Sequence, residues 1–332
     1  MNSFCEFLLQ RSPKVFEFAD LRSTYIAICV FNSFLSYTAI MLNAVTIHAI
    51  RKSSSLPKTL KTLLLSLAVS DVGVGLLGQP LYTSLLLNWL QQKDPDCNIH
   101  LAFAITVSMF SLASFLSVVA VSVDRFLAIH LHLRYQELVT HKRVVAVVIS
   151  IWLLSALFPC LVFWVSRDIL SPIELSVGGF CILLTTVAYI RIYLAVWRHK
   201  NQIQAQQDIA ESGEMANFAS LVKSAVGLFY VYLVFLIYLP YFIGFAAFDM
   251  NGPSISLKRF SLFSWTLVYL YSSLNPVIYC WKMRHNRHAI MDILRNMPWF
   301  RNQKSSFSRK RVWWPTIFFC CLELSNKFLC VK

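Results

Sequence analysis

A carboxylate without a neighbouring base is the first feature of this sequence that could do chemistry. Asp71 ends the apolar run LSLAVSD, and no basic residue lies within a helical turn of it. Polar side chains interrupt other apolar stretches at Asn43, Ser114, Ser272 and Asn275. Several side-chain oxygens around one carboxylate suit a small hard cation such as Na⁺, or a proton. A hydrogen-bonded structural cluster around a neutral aspartic acid is the alternative, and spacing alone leaves both interpretations open.

The charged pair Asp124-Arg125, followed by Phe126, ends a second apolar run. An arginine is always charged in proteins, and the adjacent aspartate neutralises it at a lipid–water boundary. One interpretation is an inert ion pair at a helix end. The other is a latch whose arginine moves to a new partner, and the dipeptide alone does not separate them.

The segment NPVIY at 275–279 ends the last long apolar run. Pro276 removes a backbone hydrogen bond and bends a helix. Asn275 or water then satisfies the backbone groups that the proline frees. Pro240, in FLIYLPYF, is a second kink candidate. A kink of this kind serves either structure or movement.

These residues lie in a chain that is too apolar to be a water-soluble globule. Of its 332 residues, 57% are hydrophobic and 14% are charged, whereas soluble domains carry about 25% charged residues. The formal charge of +14 is typical of the cytoplasmic side of a membrane protein and does not indicate nucleic-acid binding. A membrane-spanning helix needs about 20 mostly apolar residues. Seven stretches meet this requirement: 24–50, 60–87, 97–129, 143–165, 172–198, 217–247 and 260–281.

The sequence therefore predicts an all-α membrane protein, a seven-transmembrane helix bundle followed by a short amphipathic helix. The N-terminus is 1–23, the bundle 24–281 and the tail 282–332. With the N-terminus outside, only seven of the 30 Lys+Arg lie in outer segments, so we expect a cytoplasmic tail. Residues 283–297 have an apolar face and a basic face, which favours a helix on the inner leaflet; a solvated basic tail is the alternative. Acylation of Cys320 or Cys321 stays open.

Taken in order, these residues resemble the rhodopsin-like (class A) family of G-protein-coupled receptors. The matching elements are Asn43, the LxxxD ending at Asp71, the DRF at 124–126 in place of the family's DRY, Trp152, Tyr189, Pro240 and the NPxxY at 275–279. The resemblance covers nearly all of 24–297. Within the family, the short second outer loop and the segment YIRIYLAVWRH are similar to the melanocortin and adenosine receptor group.

The resemblance implies a plasma-membrane receptor, not an enzyme, that binds an extracellular ligand and activates a heterotrimeric G protein. In the active packing, Arg125 would leave Asp124. The residues implied in switching and coupling are Asp124, Arg125, Tyr189, Tyr238, Pro240, Asn275, Pro276 and Tyr279. Asp71, Ser114 and Asn275 match the family's sodium site, and no other cofactor is implied.

The resemblance also places the ligand in the outer half of the bundle. The candidate contacts there are Phe103, Val107, Ser108, Ser111, Glu174, Tyr241, Phe242, Phe245, Trp265 and Tyr269. An apolar, aromatic cavity with a few hydroxyls is typical of a small-molecule site and equally of ordinary helix packing. Glu174 would pair with a cationic ligand if it faces inward; otherwise it is a hydrated residue at a helix start. Small-molecule, lipid-like and peptide ligands all stay open.

Three departures from the family pattern matter. Tyr238 stands where the family commonly has a tryptophan, and Cys181 stands where a proline is usual. Most members join the third span to the second outer loop by a disulfide, but residues 164–172 contain no cysteine. For Cys97, near the third-span position, we expect a free thiol, with a bond to Cys5 as the alternative.

A seven-span transporter or channel that uses Asp71 as its ion site is the competing hypothesis. Transporters commonly contain internal repeats and paired broken helices, and we find no such repeat in the sequence. A membrane enzyme is a third class, but the eight His and nine Cys show no metal-ligand spacing.

Overall fold

The computed structural model describes residues 17–282, apart from 54–55, 94–95, 132–133, 166, 206–231, 233–235 and 253. Every regular element in this described part is helical. The helices are α1 (Phe18–Lys52), α2 (Lys58–Gly73), α3 (Gln79–Leu90), α4 (Cys97–Leu131), α5 (Tyr135–Leu138), α6 (His141–Cys160), α7 (Arg167–Ala205), α8 (Tyr238–Asn251) and α9 (Ile255–Lys282). In hydrocarbon each backbone polar group must be satisfied within its own segment, so long apolar runs become helices.

A π-helical turn, Val74–Gly78, joins α2 to α3 without a loop. Pro80 lies in the first turn of α3 and has no N–H, which leaves a preceding carbonyl without its helical partner. The Ser36 hydroxyl donates to the Gly75 carbonyl at 2.8 Å. The sequence predicted one plain helix here, and it contains a widened turn whose carbonyl is bonded by a side chain of α1.

Helix α4 lies at the centre of the bundle. It packs against α2, α6 and α7, while α1 packs against α2 and α9, and α8 packs against α9. Its buried face carries small residues as well as large ones, including Ala113, Ser114, Ser117 and Val118. Small side chains let neighbouring helices approach closely within a membrane bundle.

Five of the described helical segments are long and apolar enough to cross a membrane: Phe18–Lys52, Lys58–Leu90, Cys97–Leu131, His141–Cys160 and Ile169–Ala195. Large apolar side chains cover the outside of the bundle, as at Leu157, Phe180, Leu183 and Ile243. Soluble proteins rarely expose contiguous apolar surface on this scale. The part of the chain that the structure describes is all-helical, and the chain is a multi-pass membrane protein, as the sequence predicted.

Several predicted boundaries differ from the observed ones. Helix α1 begins at Phe18, so the predicted division after residue 23 cuts a helix. A count of apolar residues misses this first turn, because Asp20 and Arg22 are charged. The predicted span 143–165 is too long, because α6 ends at Cys160 and a 3₁₀ turn, Leu161–Phe163, follows. The predicted helix 283–297 and most of span 217–247 lie outside the described residues.

Candidate functional site

The carboxyl group of Asp71 joins three helices. It is fully buried, and both of its oxygens accept hydrogen bonds. The Ser114 hydroxyl of α4 donates to Oδ1 at 2.8 Å, and the Asn275 amide of α9 donates to Oδ2 at 2.8 Å. Among the ion pairs of the described residues, none involves Asp71. Burial of this acid is therefore compensated by neutral donors rather than by a cation.

Two amide oxygens in this polar cluster have no hydrogen-bond partner. They belong to Asn43 and Asn275, and an unpaired buried acceptor is costly. Asn43 lies against α9, since its Nδ2 donates to the Ser272 carbonyl at 2.9 Å. A carboxylate, a hydroxyl and unpaired amide oxygens form the kind of oxygen donor set that hard cations prefer. The residues present fit Na⁺, with Asp71, Ser114 and Asn275 as the side chains that would hold it.

The Asp124–Arg125 pair is buried rather than displayed at an open helix end. Arg125 is only 3% exposed. Its Nε donates to Asp124 Oδ2 at 2.9 Å, and its Nη2 contacts the same oxygen. The second carboxylate oxygen, Oδ1, accepts from the Tyr135 hydroxyl at 2.6 Å. In this arrangement Asp124 holds the arginine on its own helix, and α5 holds Asp124.

Tyr135 was missed by the sequence analysis. It lies in the four-residue helix α5, which is too short to show any hydrophobic period. Its hydroxyl also lies 3.3 Å from Thr59 Oγ1 of α2. Burial, and then the negative charge of Asp124, raises the pKa of Tyr135 to about 12. The phenol therefore stays protonated near neutral pH and donates to Asp124 throughout that range.

Tyr189, a predicted switch residue, is buried between α4 and the segment that precedes α8. Its ring stacks on Tyr232 with centroids 4.8 Å apart, and its hydroxyl accepts from Ser122 Oγ at 3.5 Å. The hydroxyls of Thr186 and Tyr232 are 2.9 Å apart. Tyr189 thus contacts two neighbouring elements rather than solvent.

Tyr238 packs in the middle of the bundle despite being smaller than a tryptophan. Its ring stands edge-on to Phe115 at 5.2 Å and to Tyr271 at 5.0 Å. Phe242, one turn further along α8, also stands edge-on to Phe115 at 5.9 Å. The Pro240 carbonyl accepts from Ser264 Oγ at 3.2 Å. These contacts connect α8 to both α4 and α9.

Six rings from four helices form what we name the aromatic cluster: Tyr82, Phe103, Tyr241, Phe245, Trp265 and Tyr269. Trp265 is central, with ring centroids 4.9 Å from Tyr241, 5.9 Å from Phe103 and 6.1 Å from Tyr269. Tyr82 lies 5.5 Å from Phe103 and 5.3 Å from Tyr269. The structure therefore brings together five of the predicted ligand residues and adds Tyr82.

Tyr82 was missed because its orientation depends on the π-helical turn that precedes α3. On the neighbouring turn, Gln79 Nε2 donates to Asn32 Oδ1 at 3.0 Å, and Asn32 Nδ2 donates to Thr83 Oγ1 at 2.7 Å. The hydroxyls of Tyr82 and Tyr269 are buried and have no hydrogen-bond partner. The aromatic cluster therefore contains free polar atoms as well as apolar faces.

The other predicted ligand residues are placed differently. Val107 is fully buried, Ser108 is exposed and Glu174 is half-buried on α7. The Ser111 hydroxyl is buried without a hydrogen-bond partner. Phe242 contacts Tyr241 at 5.5 Å and so adjoins the aromatic cluster. Tyr279 lies within α9, but its side chain is outside the described part.

A groove of about 460 Å³ lies elsewhere, between α1 and α3. Its lining includes Ser33, Ser36 and Thr83, and each of these hydroxyls donates to a backbone carbonyl. None of the predicted ligand residues lines this groove. Because the predicted ligand residues gather around the aromatic cluster instead, we take that cluster as the candidate ligand site.

The expectation of a free thiol at Cys97 was wrong. Cys97 is disulfide-bonded, whereas Cys29, Cys160 and Cys181 are free. The partner cysteine lies outside the described residues. A bonded Cys97 was the alternative in the sequence analysis, but spacing along the sequence does not show which cysteines meet in space.

Comparison with known proteins agrees with these features. Residues 42–172 match the family described as 7 transmembrane receptor (rhodopsin family). The adenosine receptor A2b of Gallus gallus is 34% identical over 135 residues, which cover 41% of this chain and 38% of that receptor. The adenosine receptor A2a of Equus caballus is 25% identical over 308 residues, covering 79% of this chain and 70% of that receptor. The alpha-2B adrenergic receptor of Cavia porcellus is 29% identical over 192 residues, which cover 52% of this chain and 42% of that receptor.

The described residues thus combine a helical bundle with a buried Asp124–Arg125 pair and a single buried carboxylate, Asp71, among neutral polar side chains. Residues 42–172 are thus similar to the rhodopsin family of seven-transmembrane receptors, and the chain is similar in sequence to adenosine receptors. The chain spans less than two fifths of the length of the A2b receptor that it matches. The predicted similarity to melanocortin receptors stays a prediction.

Proposed function

We propose that this chain is a plasma-membrane receptor that converts binding of an extracellular ligand into activation of a heterotrimeric G protein. Seven helices would cross the membrane, with the N-terminus outside and the tail inside. Support comes from the five apolar helical segments, from the shorter apolar helix within α8 and from the 28 residues of α9. The distribution of Lys and Arg supports the orientation. The predicted helix 283–297 would lie on the inner leaflet.

The observation that carries this proposal is the buried ion pair Asp124–Arg125, with Tyr135 donating to Asp124. Among the described residues, Arg125 has its ion-pair partner on its own helix. A buried charge held in this way can be transferred to another partner when neighbouring helices move. Release of Arg125 would break two charge-assisted contacts, each stronger than a neutral hydrogen bond. The closed state is therefore favoured until a ligand stabilises the alternative packing.

The ligand would bind at the aromatic cluster and shift its rings. Ring contacts continue from this cluster towards the middle of the bundle. Phe242 contacts Tyr241 on one side and Phe115 on the other. Phe115 in turn contacts Tyr238, which packs on Tyr271. A ligand that moves Tyr241 would thereby shift α8 against α4 and α9. In this proposal Tyr238 takes the place of the family's tryptophan.

The free hydroxyls of Tyr82 and Tyr269 favour a small molecule with a flat face and hydrogen-bonding groups. Two of the matched relatives are adenosine receptors by name, and a purine nucleoside has this chemistry. We therefore propose adenosine as the first ligand to test. Glu174 is not needed for such an uncharged ligand.

We further propose that Na⁺ binds at Asp71, Ser114 and Asn275. The two unpaired amide oxygens and the absence of a cation partner for Asp71 among the described ion pairs support this assignment. A bound cation would neutralise the carboxylate and would hold α2, α4 and α9 together. It would thereby oppose the movement that releases Arg125.

The decisive experiment expresses the full chain in cells with G-protein dissociation sensors, with and without adenosine. Basal or adenosine-stimulated dissociation that disappears in an Asp124→Asn, Arg125→Ala double variant, at equal surface expression, supports the receptor. Identical sensor output in cells that lack the chain would exclude it. The transporter or channel hypothesis, with Asp71 as the ion site, receives no support from the comparisons. It would require ion flux that Asp71→Asn abolishes.

A further inference from the structure

The side chain of Tyr238 brings an oxygen atom to the polar cluster around Asp71. Tyr238 begins α8 and is only 4% exposed. Its hydroxyl interacts with Ser114 and lies within the electrostatic influence of Asp71. Ser114 is also the residue whose hydroxyl donates to Asp71 Oδ1 at 2.8 Å. The phenol and the buried carboxylate therefore share one neighbour.

Ring contacts on two sides fix the position of this phenol. Tyr238 stands edge-on to Phe115 of α4 at 5.2 Å and to Tyr271 of α9 at 5.0 Å. Phe115 directly follows Ser114 in α4, and Tyr271 directly precedes Ser272 in α9. Both of these serines interact with the buried carboxylate. The two rings that hold Tyr238 are thus sequence neighbours of residues in the polar cluster.

Packing alone does not account for the hydroxyl of Tyr238. A phenylalanine would make the same two edge-on contacts, and burial of a hydroxyl is costly unless a polar interaction compensates it. The tryptophan that is common at this position in rhodopsin-like receptors carries an N–H donor and no oxygen. A phenol oxygen has lone pairs as well as a proton. Tyr238 can therefore offer an acceptor that an indole lacks.

We propose that Tyr238 supplies a further oxygen to the cation site, so that Na⁺ bound at Asp71 also holds α8. This inference rests on the proposed Na⁺ site at Asp71, Ser114 and Asn275, which joins α2, α4 and α9. Hard cations such as Na⁺ prefer oxygen ligands, and a hydroxyl beside Ser114 adds one from a fourth helix.

This arrangement couples the ion directly to the aromatic cluster. Tyr241 follows Tyr238 by three positions in α8, and residues with this spacing are neighbours on a helix surface. The Tyr241 ring contacts Trp265 at 4.9 Å. A ligand that moves Tyr241 would draw the phenol away from the ion. Na⁺ and such a ligand would then weaken the binding of each other to the same extent.

The test measures Na⁺ affinity through the thermal midpoint of the purified full-length chain. NaCl is titrated against N-methylglucamine chloride at constant ionic strength, and the rise in midpoint gives an apparent dissociation constant. Tyr238→Phe keeps the ring and removes only the oxygen. We expect its dissociation constant for Na⁺ to rise about tenfold, the effect of losing one interaction with a charged group. Tyr238→Trp should not restore the affinity of the wild type.

Tyr25→Phe is the matched control, because it also removes a buried tyrosine hydroxyl. Tyr25 precedes Asn43 of the polar cluster by 18 positions in α1, which corresponds to about 27 Å along the helix axis. This variant should keep the dissociation constant of the wild type. A general loss of stability lowers the midpoint with and without Na⁺, whereas loss of a ligand changes its dependence on Na⁺. An unchanged dissociation constant in Tyr238→Phe overturns the proposal.

Asp71→Asn separates failure of this inference from failure of the proposed ion site. A sodium shift that persists in Asp71→Asn contradicts both, because the ion then binds elsewhere. Loss of the shift in Asp71→Asn together with wild-type affinity in Tyr238→Phe retains the site and contradicts the role of Tyr238. If the bulkier Tyr238→Trp fails to fold, Tyr238→Phe alone decides the question.

Discussion

The two ends of the bundle are stabilised by different kinds of contact. At the end where α1 begins, six rings pack with centroids about 5–6 Å apart, as between Tyr241 and Trp265 at 4.9 Å. At the other end, directed bonds from Arg125 and Tyr135 converge on Asp124. Ring packing changes gradually as side chains shift, whereas a charged hydrogen bond is made or broken. The aromatic end can adapt to a ligand, and the ion-pair end can switch between two states.

The polar cluster at Asp71 lies between these two regions and shares features with both. Its carboxyl is held by directed bonds from Ser114 and Asn275, yet it retains unpaired oxygens. It connects α2 to α4, which carries both Phe103 and Arg125, and to α9, which carries Trp265 and Tyr269. Binding or loss of Na⁺ at this cluster should therefore change how readily Arg125 is released when a ligand binds at the aromatic end. It should not activate the G protein by itself.

The strongest test of this comparison is Arg125→Ala, for which we expect loss of all measurable G-protein activation. The charge that would move is then absent, and ligand binding at the aromatic end cannot replace it. Sensor output normalised to surface expression measures the effect. Lys142→Ala, which removes an exposed charge from the neighbouring α6, should signal normally. Full signalling by Arg125→Ala would contradict the proposal that Arg125 acts as the switch.

Removal of a central ring should damage the aromatic end next most severely. Trp265→Ala should lower the free energy of unfolding by about 3 kcal/mol, because it leaves a cavity among Phe103, Tyr241 and Tyr269. Thermal melting in detergent measures the loss. Trp164→Ala, which truncates a side chain that is 78% exposed, should change the midpoint little. Equal losses in the two variants would show that ring packing does not stabilise this end.

Sodium should affect the region between the two ends by a smaller amount. At a Na⁺ concentration ten times its dissociation constant, bound Na⁺ should stabilise the folded chain by about 1.4 kcal/mol. Melting in NaCl and in N-methylglucamine chloride at equal ionic strength measures the difference. Asp71→Asn should abolish it, whereas Asp20→Asn, at the edge of α1, should retain it. A sodium shift that persists in Asp71→Asn assigns the ion to another site.

The smallest expected effect belongs to Tyr135→Phe. Loss of its hydrogen bond to Asp124 should weaken the closed state by about 1 kcal/mol, which raises basal signalling about fivefold if the open state is rare. The output of the G-protein sensor in cells without added ligand measures this change in basal signalling. Tyr193→Phe removes an exposed hydroxyl on α7 and should leave basal signalling unchanged. Basal output below that of the wild type would mean that Tyr135 stabilises the open state instead.

The sequence alone identified the polar residues that lie within apolar helices, because a polar side chain inside a membrane needs a partner or a function. Asp71, Asn275 and the Asp124–Arg125 pair were found because polar groups in apolar runs need partners. The structure confirms that the helical, multi-pass class was predicted correctly. The ion and the switching roles stay predictions until the experiments above are done.

Sequence reasoning failed where an outcome depends on geometry between elements. Tyr135 is an ordinary loop tyrosine until α5 places its hydroxyl against Asp124. Ser108 lies exposed, and its role as a ligand contact stays a prediction. The free thiol expected at Cys97 was wrong, because a disulfide has no local signature in the sequence around one of its cysteines.

The π-helical turn Val74–Gly78 absorbs one extra residue without turning the helix that follows it. A π turn accommodates one more residue than an α turn, so deletion of a single residue within it should leave a regular helix in the same orientation. Gln79 would still meet Asn32, and Tyr82 would still meet Tyr269. A second deletion would have no wide turn to absorb it and would rotate α3 by about 100° about the helix axis, so that both contacts would be lost.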